Sequence, residues 1–125
     1  MSESATFRPH ERLNDPKHFQ RAFARKKSVS DASLIVYAEF NGLAFSRLGI
    51  SVGKKRVKTA VARNKLKRVI REAFRLNKAT IPLGIDLVVV PRGPAVRFET
   101  AMISLPHLAQ SAFRRLPKPS TAPVS

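Results

Sequence analysis

Between residues 60 and 76 apolar side chains recur at helical spacing. On a wheel advanced by about 100° per residue, Ala62, Leu66, Val69, Ile70, Ala73 and Phe74 fall within about 140° of one another. Asn64, Lys67, Arg68, Arg71 and Arg75 take the opposite side, and Arg63 and Lys65 flank the stripe. The stretch predicts an amphipathic helix with one face for a core and one row of cations.

Other segments follow other periods. Ser33 to Phe40 (SLIVYAEF) alternates Leu34, Val36, Ala38 and Phe40 against Ile35, Tyr37 and Glu39, which predicts a half-buried strand. Asn41-Gly42 is a turn signal and predicts a hairpin with a second strand over Ala44–Val52. Gly49 inside that strand marks a bulge or a close backbone approach. Ile85 to Val90 (IDLVVV) is a short continuous apolar run, the pattern of a central strand covered on both faces.

Two further helices frame these elements. Asn14-Asp15-Pro16 is a helix start, with Asp15 as cap and Pro16 at the first helical position. The helix runs to about Arg25 and sets Phe19, Ala22 and Phe23 on one side. Phe98 to Leu116 is helical in composition, and Pro106 predicts a kink or a restart there. The fold class is therefore α+β, a two-layer α-β sandwich in the order α-β-β-(β)-α-β-α. Residues 1–13 read as a flexible arm, 14–116 as a single domain, and 117–125 (PKPSTAPVS) as a Pro-rich disordered tail.

Charge changes the picture. The chain carries 24 Lys and Arg against 8 Asp and Glu, a formal net charge of +16 over 125 residues. Such an imbalance costs self-repulsion in a compact state and points to a polyanionic partner. Eleven of the 24 basic residues lie between Lys54 and Lys78, including Lys54, Lys55, Arg56 and Lys58 just before the helix. A merely solvated helix usually alternates sign, because like charges at i, i+4 destabilise it. Here Arg63, Lys67, Arg71 and Arg75 follow one another at i, i+4, and Glu72 alone opposes them.

The type of polyanion follows from what each face has to do. A membrane-surface helix spends its apolar face on lipid, whereas this one needs that face to cover the sheet. Recognisable DNA-binding patterns (helix-turn-helix, zinc finger, basic zipper) are absent. Arginine forks suit phosphates, and Asn64 suits a base edge or a 2′-hydroxyl, so structured RNA is the better reading. The sequence has no Cys, no apolar leader segment and no long apolar run, so a cytoplasmic protein is expected. The acids are scattered, and His10, His18 and His107 form no cluster with a nucleophile or carboxylate, which argues against a self-sufficient nuclease.

Arg47–Arg56 (RLGISVGKKR) and Ala60–Arg75 (AVARNKLKRVIREAFR), with Glu11-Arg12-Leu13, the Phe19/Phe23 pair, the basic segment ending in Ser28 and the late strand DLVVV, resemble the protein subunit of bacterial ribonuclease P. The resemblance spans roughly residues 11–116. It implies an α-β sandwich whose basic helix crosses between two parallel strands with left-handed sense, where general rules favour the right-handed one. Family members divide the region of the second strand in two.

The resemblance also implies a function: a ribonucleoprotein endonuclease that removes the 5′ leader of precursor tRNA. Its catalytic centre lies in the RNA subunit, and its Mg²⁺ is held by RNA and substrate rather than by a protein site. By resemblance, Lys54, Lys55, Arg56, Arg63, Asn64, Lys65, Lys67, Arg68 and Arg71 contact the RNA subunit. Phe19, Phe23 and Tyr37 line the cleft for the leader. No catalytic residue, metal ligand, membrane or small-molecule substrate is implied for the protein. An i, i+4 phenylalanine pair serves a core as readily as a stacking surface, and the sequence leaves both open. Lys65 stands where the family usually has Arg, which exchanges a planar fork for a point donor. Lys26 stands where glycine is common. The alternative is a ribosomal or other structural RNA-binding protein with no part in cleavage.

Overall fold

In the computed structural model, residues 9–13, 15–24 and 28–116 are described; the arm before Pro9, Asn14, Arg25, Lys26, Lys27 and the tail after Leu116 lie outside them. The elements are α1 (Pro16–Ala24), β1 (Ser28–Ser30), β2 (Leu34–Phe40), β3 (Arg47–Ile50), α2 (Ala60–Leu76), β4 (Ile85–Pro91) and α3 (Phe98–Arg115). One mixed four-stranded sheet has the order β1-β2-β4-β3. β4 runs antiparallel to β2 and parallel to β3, so α2 is the crossover joining two parallel neighbours.

This order corrects the hairpin expected at Asn41-Gly42. β2 and β3 do not pair; β4 lies between them, with Tyr37 opposite Val88 on one side and Gly49 opposite Val88 on the other. A two-residue hairpin requires the second strand to resume at once, and here six residues intervene before Arg47. Gly42 does adopt a left-handed conformation (φ 73°). The turn nonetheless serves a wide connection. The Asn41 side chain donates to the Phe45 carbonyl at 3.1 Å and to Asp86 Oδ1 on β4 at 3.0 Å. The unbroken apolar run of β4 explains the outcome, since Ile85, Leu87, Val88 and Val89 are wholly buried only in the middle of the sheet.

Alternation sorts the sheet into two faces. Leu34, Val36, Ala38, Leu48, Ile85, Leu87 and Val89 form the main core with Ile70, Ala73 and Phe74 of α2 and Ala101, Leu105, Leu108 and Ala109 of α3. The other face carries Tyr37, Val88 and Val90, covered by Leu13 and by Phe19 and Ala22 of α1. The expected strand Ala44–Val52 shortens to β3. β1 was not foreseen, because Ser-Val-Ser is too short to show a period; it pairs antiparallel with β2 and buries only Val29.

Capping sets the helix starts. Asp15 Oδ1 accepts the Lys17 amide at 2.9 Å, next to Pro16, as expected for α1. Thr59 Oγ1 accepts the Ala62 amide at 3.1 Å and opens α2. α3 runs through Pro106 without the expected restart. Proline deprives the Met102 carbonyl of its helical donor, and Asn77 Nδ2, from the end of α2, donates to that carbonyl at 3.3 Å.

Residues 9–13, placed in the arm by their lack of periodicity, join the fold. Pro9–Glu11 is a 3-10 turn, the Leu13 amide donates to the Leu48 carbonyl at 2.9 Å, and Glu11 pairs with Lys78 at 2.6 Å. Glu11 and Leu13 are both buried. The attachment includes a buried ion pair, an edge hydrogen bond, the packing of Leu13 and the edge-on contact of His10 with Phe45, none of which has a period to detect.

Candidate RNA interface

The helix α2 divides as its wheel predicts. Leu66, Ile70, Ala73 and Phe74 are buried and Val69 packs against the same core. Truncating one such side chain, Phe74→Ala, would cost about 3–5 kcal/mol, so the apolar stripe holds the helix firmly on the sheet. Asn64, Lys65 and Arg68 remain exposed, while Arg63, Lys67 and Arg71 are half-buried. Glu72 is taken by Arg75, whose hydrogen bond holds the carboxyl below its ordinary range.

The half-buried cations are not equivalent. Lys67 and Arg71 join Arg12 around a cleft of about 220 Å³ whose other walls are Leu13, Phe19, Leu48, Gly49 and Ile50. Burial, and then the charges of Arg12 and Arg68, lower the Arg71 pKa. Guanidinium groups remain charged even so. Two guanidiniums and the Lys67 ammonium converge at the mouth of one cleft, an arrangement that costs repulsion and that an anion would relieve. Arg63 is directed elsewhere: its Nη1 donates to the carbonyls of Val57 and Lys58 at 3.0 and 3.1 Å. Lys54, Lys55 and Arg56 are exposed on the turn it grips.

The three aromatic residues singled out by the sequence form one row. Phe19 and Phe23 have ring centroids 6.5 Å apart, and Phe23 meets Tyr37 edge-on at 4.7 Å. Phe19 is half-buried and belongs to both the small core and the cleft. Phe23 is 36% exposed at the open end of the row. Gly49 is what lets Phe19 lie there, since a Cβ at that position would stand 2.5 Å from the Phe19 Cζ. The open choice between bulge and close approach is therefore decided in favour of close approach.

Beneath the row, on the same face, Asp86 is buried and accepts two bonds from Arg47, Nε to Oδ1 and Nη2 to Oδ2, each at 2.8 Å. The bidentate pair joins β3 to β4, in register with each other at these residues. It also consumes the best-placed carboxylate on this face. Glu11 is likewise held by Lys78. Among the described residues no group of three or more His, Cys, Asp or Glu could hold a metal ion. Nor is any described helix long and apolar enough to cross a membrane.

Sequence reasoning missed Arg12 as a member of the site, although Glu11-Arg12-Leu13 was part of the motif. Its only signal was that the buried Glu11 and Leu13 flank it and turn it into the cleft. The inward role of Arg63 left no signal, because its acceptors are backbone carbonyls.

A mixed α+β sandwich with a cationic crossover helix bordering an aromatic cleft defines a small basic protein made to carry a polyanion. The chain belongs to the ribonuclease P protein family, components of a tRNA-processing ribonucleoprotein: the family model described as Ribonuclease P matches residues 7–113. The ribonuclease P protein component of Thermotoga maritima is 48% identical over 92 residues, covering 74% of this chain and 76% of that one. The corresponding component of Pseudomonas putida strain GB-1 is 43% identical over 90 residues, covering 71% of this chain and 66% of that one, just under two thirds of its length. Among solved structures, the Thermotoga maritima protein superposes with a TM-score of 0.72 at 40% identity, covering 81% of this chain and 96% of that one. The Staphylococcus aureus protein superposes with a TM-score of 0.70 at 38% identity, covering 82% and 94%.

Proposed function

We propose that this chain is the protein subunit of a ribonuclease P, holding the RNA subunit on the cationic face of α2 and the 5′ leader of precursor tRNA in the aromatic cleft. The catalytic centre and its Mg²⁺ then belong to RNA. The protein contributes affinity and placement, which lowers the barrier by fixing the scissile bond rather than by supplying an acid or base.

One observation carries this reading: the row Tyr37–Phe23–Phe19 leads into the cleft of Arg12, Lys67 and Arg71, with Phe19 common to both. Rings stack on unpaired bases without demanding a sequence, at about 1–3 kcal/mol per base. Guanidinium forks take phosphates. An extended single strand offers both groups along its length, whereas a duplex hides its bases. Asn64, Lys65 and Arg68 are exposed on the same helix and suit the larger RNA partner.

The test is the affinity of the reconstituted ribonucleoprotein for precursor tRNA and for mature tRNA. Phe23→Ala and Tyr37→Ala should each weaken precursor binding by about 5- to 150-fold, the worth of one stacked base. Mature tRNA should bind as before. Equal weakening of both ligands would refute the leader cleft.

A further inference from the structure

The hydrogen bonds of Arg63 set it apart from the cations around it. Its Nη1 donates at 3.0 Å to the Val57 carbonyl and at 3.1 Å to the Lys58 carbonyl. Both acceptors close the turn Gly53–Lys58, within which the Arg56 and Val57 amides donate to the Gly53 carbonyl at 3.2 and 3.0 Å. Val57 is the turn's apolar anchor, 2% exposed, and Thr59 caps the helix that follows. Four of the five residues 54–58 are cationic, and Lys54, Lys55, Arg56 and Lys58 are all exposed.

Such a turn should spring open, because neighbouring like charges repel and solvent offers its backbone equally good partners. A guanidinium adds a fifth positive charge. Its donation to two carbonyl oxygens compensates only because it replaces separate waters with a single Nη1 group rooted on a helix packed against the core. We infer that Arg63 is a positioning residue: it clamps the 53–58 turn so that Lys54, Lys55 and Arg56 meet RNA already ordered, rather than spending its own charge chiefly on a phosphate. Pre-ordering removes the entropy cost of fixing three flexible cations at the moment of binding. The inference rests on the RNA-binding reading above for its consequence, though not for the clamp itself.

Two measurements separate these layers. Hydrogen exchange of the free protein, without RNA, reports on the clamp. Arg63→Ala should speed exchange of the Arg56 and Val57 amides by about tenfold or more, with little change at Ile70 and Leu87. Arg63→Lys should restore part of that protection, since an ammonium can reach one carbonyl. The second measurement is a double-mutant cycle on affinity for an in-vitro-transcribed bacterial ribonuclease P RNA. Arg63→Ala should weaken binding in the otherwise unaltered protein and lower the salt slope by more than one unit, because several contacts loosen together. In a Lys54→Ala/Lys55→Ala/Arg56→Ala background the same change should cost less than about twofold.

Unchanged exchange at Arg56 and Val57 would overturn the clamp. Equal weakening in both backgrounds would make Arg63 a direct RNA contact and overturn the positioning role. Wild-type RNA affinity in the triple variant would remove the turn from RNA binding, with the exchange result still deciding whether Arg63 holds it.

Discussion

Phe19 lies against Gly49 so closely that the glycine cannot gain a side chain without moving the ring, a Cβ there standing 2.5 Å from Cζ and 2.9 Å from Cε1. The backbone of β3 thus fixes the aromatic row from below. Gly49→Ala should displace Phe19 toward the open cleft and cost about 1–3 kcal/mol of stability by overpacking. Precursor-tRNA affinity should fall while RNA-subunit affinity is retained, measured by binding titrations alongside thermal unfolding. Unaltered stability and leader affinity together would show that the ring has somewhere else to go.

Asn77 and Pro106 form a compensating pair across 29 positions of sequence. Asn77 Nδ2 serves both its own helix, donating to the Ala73 carbonyl at 2.9 Å, and the Met102 carbonyl at 3.3 Å that Pro106 leaves without a donor. Asn77→Ala should cost about 1 kcal/mol, the net worth of a part-buried hydrogen bond. With Pro106→Ala in place, residue 106 regains an amide, and the cost of Asn77→Ala should shrink. Denaturant melts of the four proteins in the cycle measure the coupling; strict additivity would mean that the two residues do not act on one carbonyl.

Much of this architecture was legible, and the exceptions share a cause. The stripe from Leu66 to Phe74 and the run Ile85–Val90 declared α2 and β4, because burial of one face or of both leaves a period or an unbroken block. The position of β4 between β2 and β3 did not show locally; Asn41-Gly42 describes a turn, not which strand follows it in space. Pro106 predicts a kink or a restart because its remedy, Asn77, lies far back in the chain. The aromatic row was legible as a set of residue types, but that Phe19 belongs both to the small core and to the cleft wall shows only in the fold, where it lies against Gly49. Arg12 and the grip of Arg63 on the Val57 and Lys58 carbonyls were hidden, since contacts to backbone and cleft walls impose no pattern on composition.

Asp31 gives the fold a pH dependence at acid values. Burial pushes its carboxyl up, but hydrogen bonds from the Ser104 hydroxyl and the Leu34 and Ser33 amides, aided by His107, outweigh that and leave it lowered. A folded-state pKa below the unfolded one means the unfolded chain binds more protons in that window. The contribution is therefore present above an unfolded value near about 3.9 and is lost as pH falls through the folded one. Asp31→Asn should flatten the acid limb of a stability–pH curve below about pH 4. An acid limb identical to the parent's would show that Asp31 does not tie the β1–β2 turn to α3.

Arg68 is exposed on α2 and outside the packed stripe. Arg68→Ala should leave thermal unfolding nearly unchanged, within about 0.5 kcal/mol. It should nonetheless weaken RNA-subunit binding and reduce the salt slope by about one unit. If about six phosphates are neutralised, the parent protein should lose about 10³-fold or more in affinity between about 50 and 200 mM salt. A flat salt response would contradict the electrostatic reading of the cationic face.

The most direct measurement is cleavage of precursor tRNA by a bacterial ribonuclease P RNA at low Mg²⁺, with and without this protein. The predicted result is that RNA alone is slow, that added protein restores removal of the 5′ leader, and that protein alone cleaves nothing. The contrary result is tight binding to the RNA with no stimulation, which would make the chain a structural RNA-binding protein. Robust cleavage by the RNA-free protein would contradict the assignment of the catalytic centre to RNA.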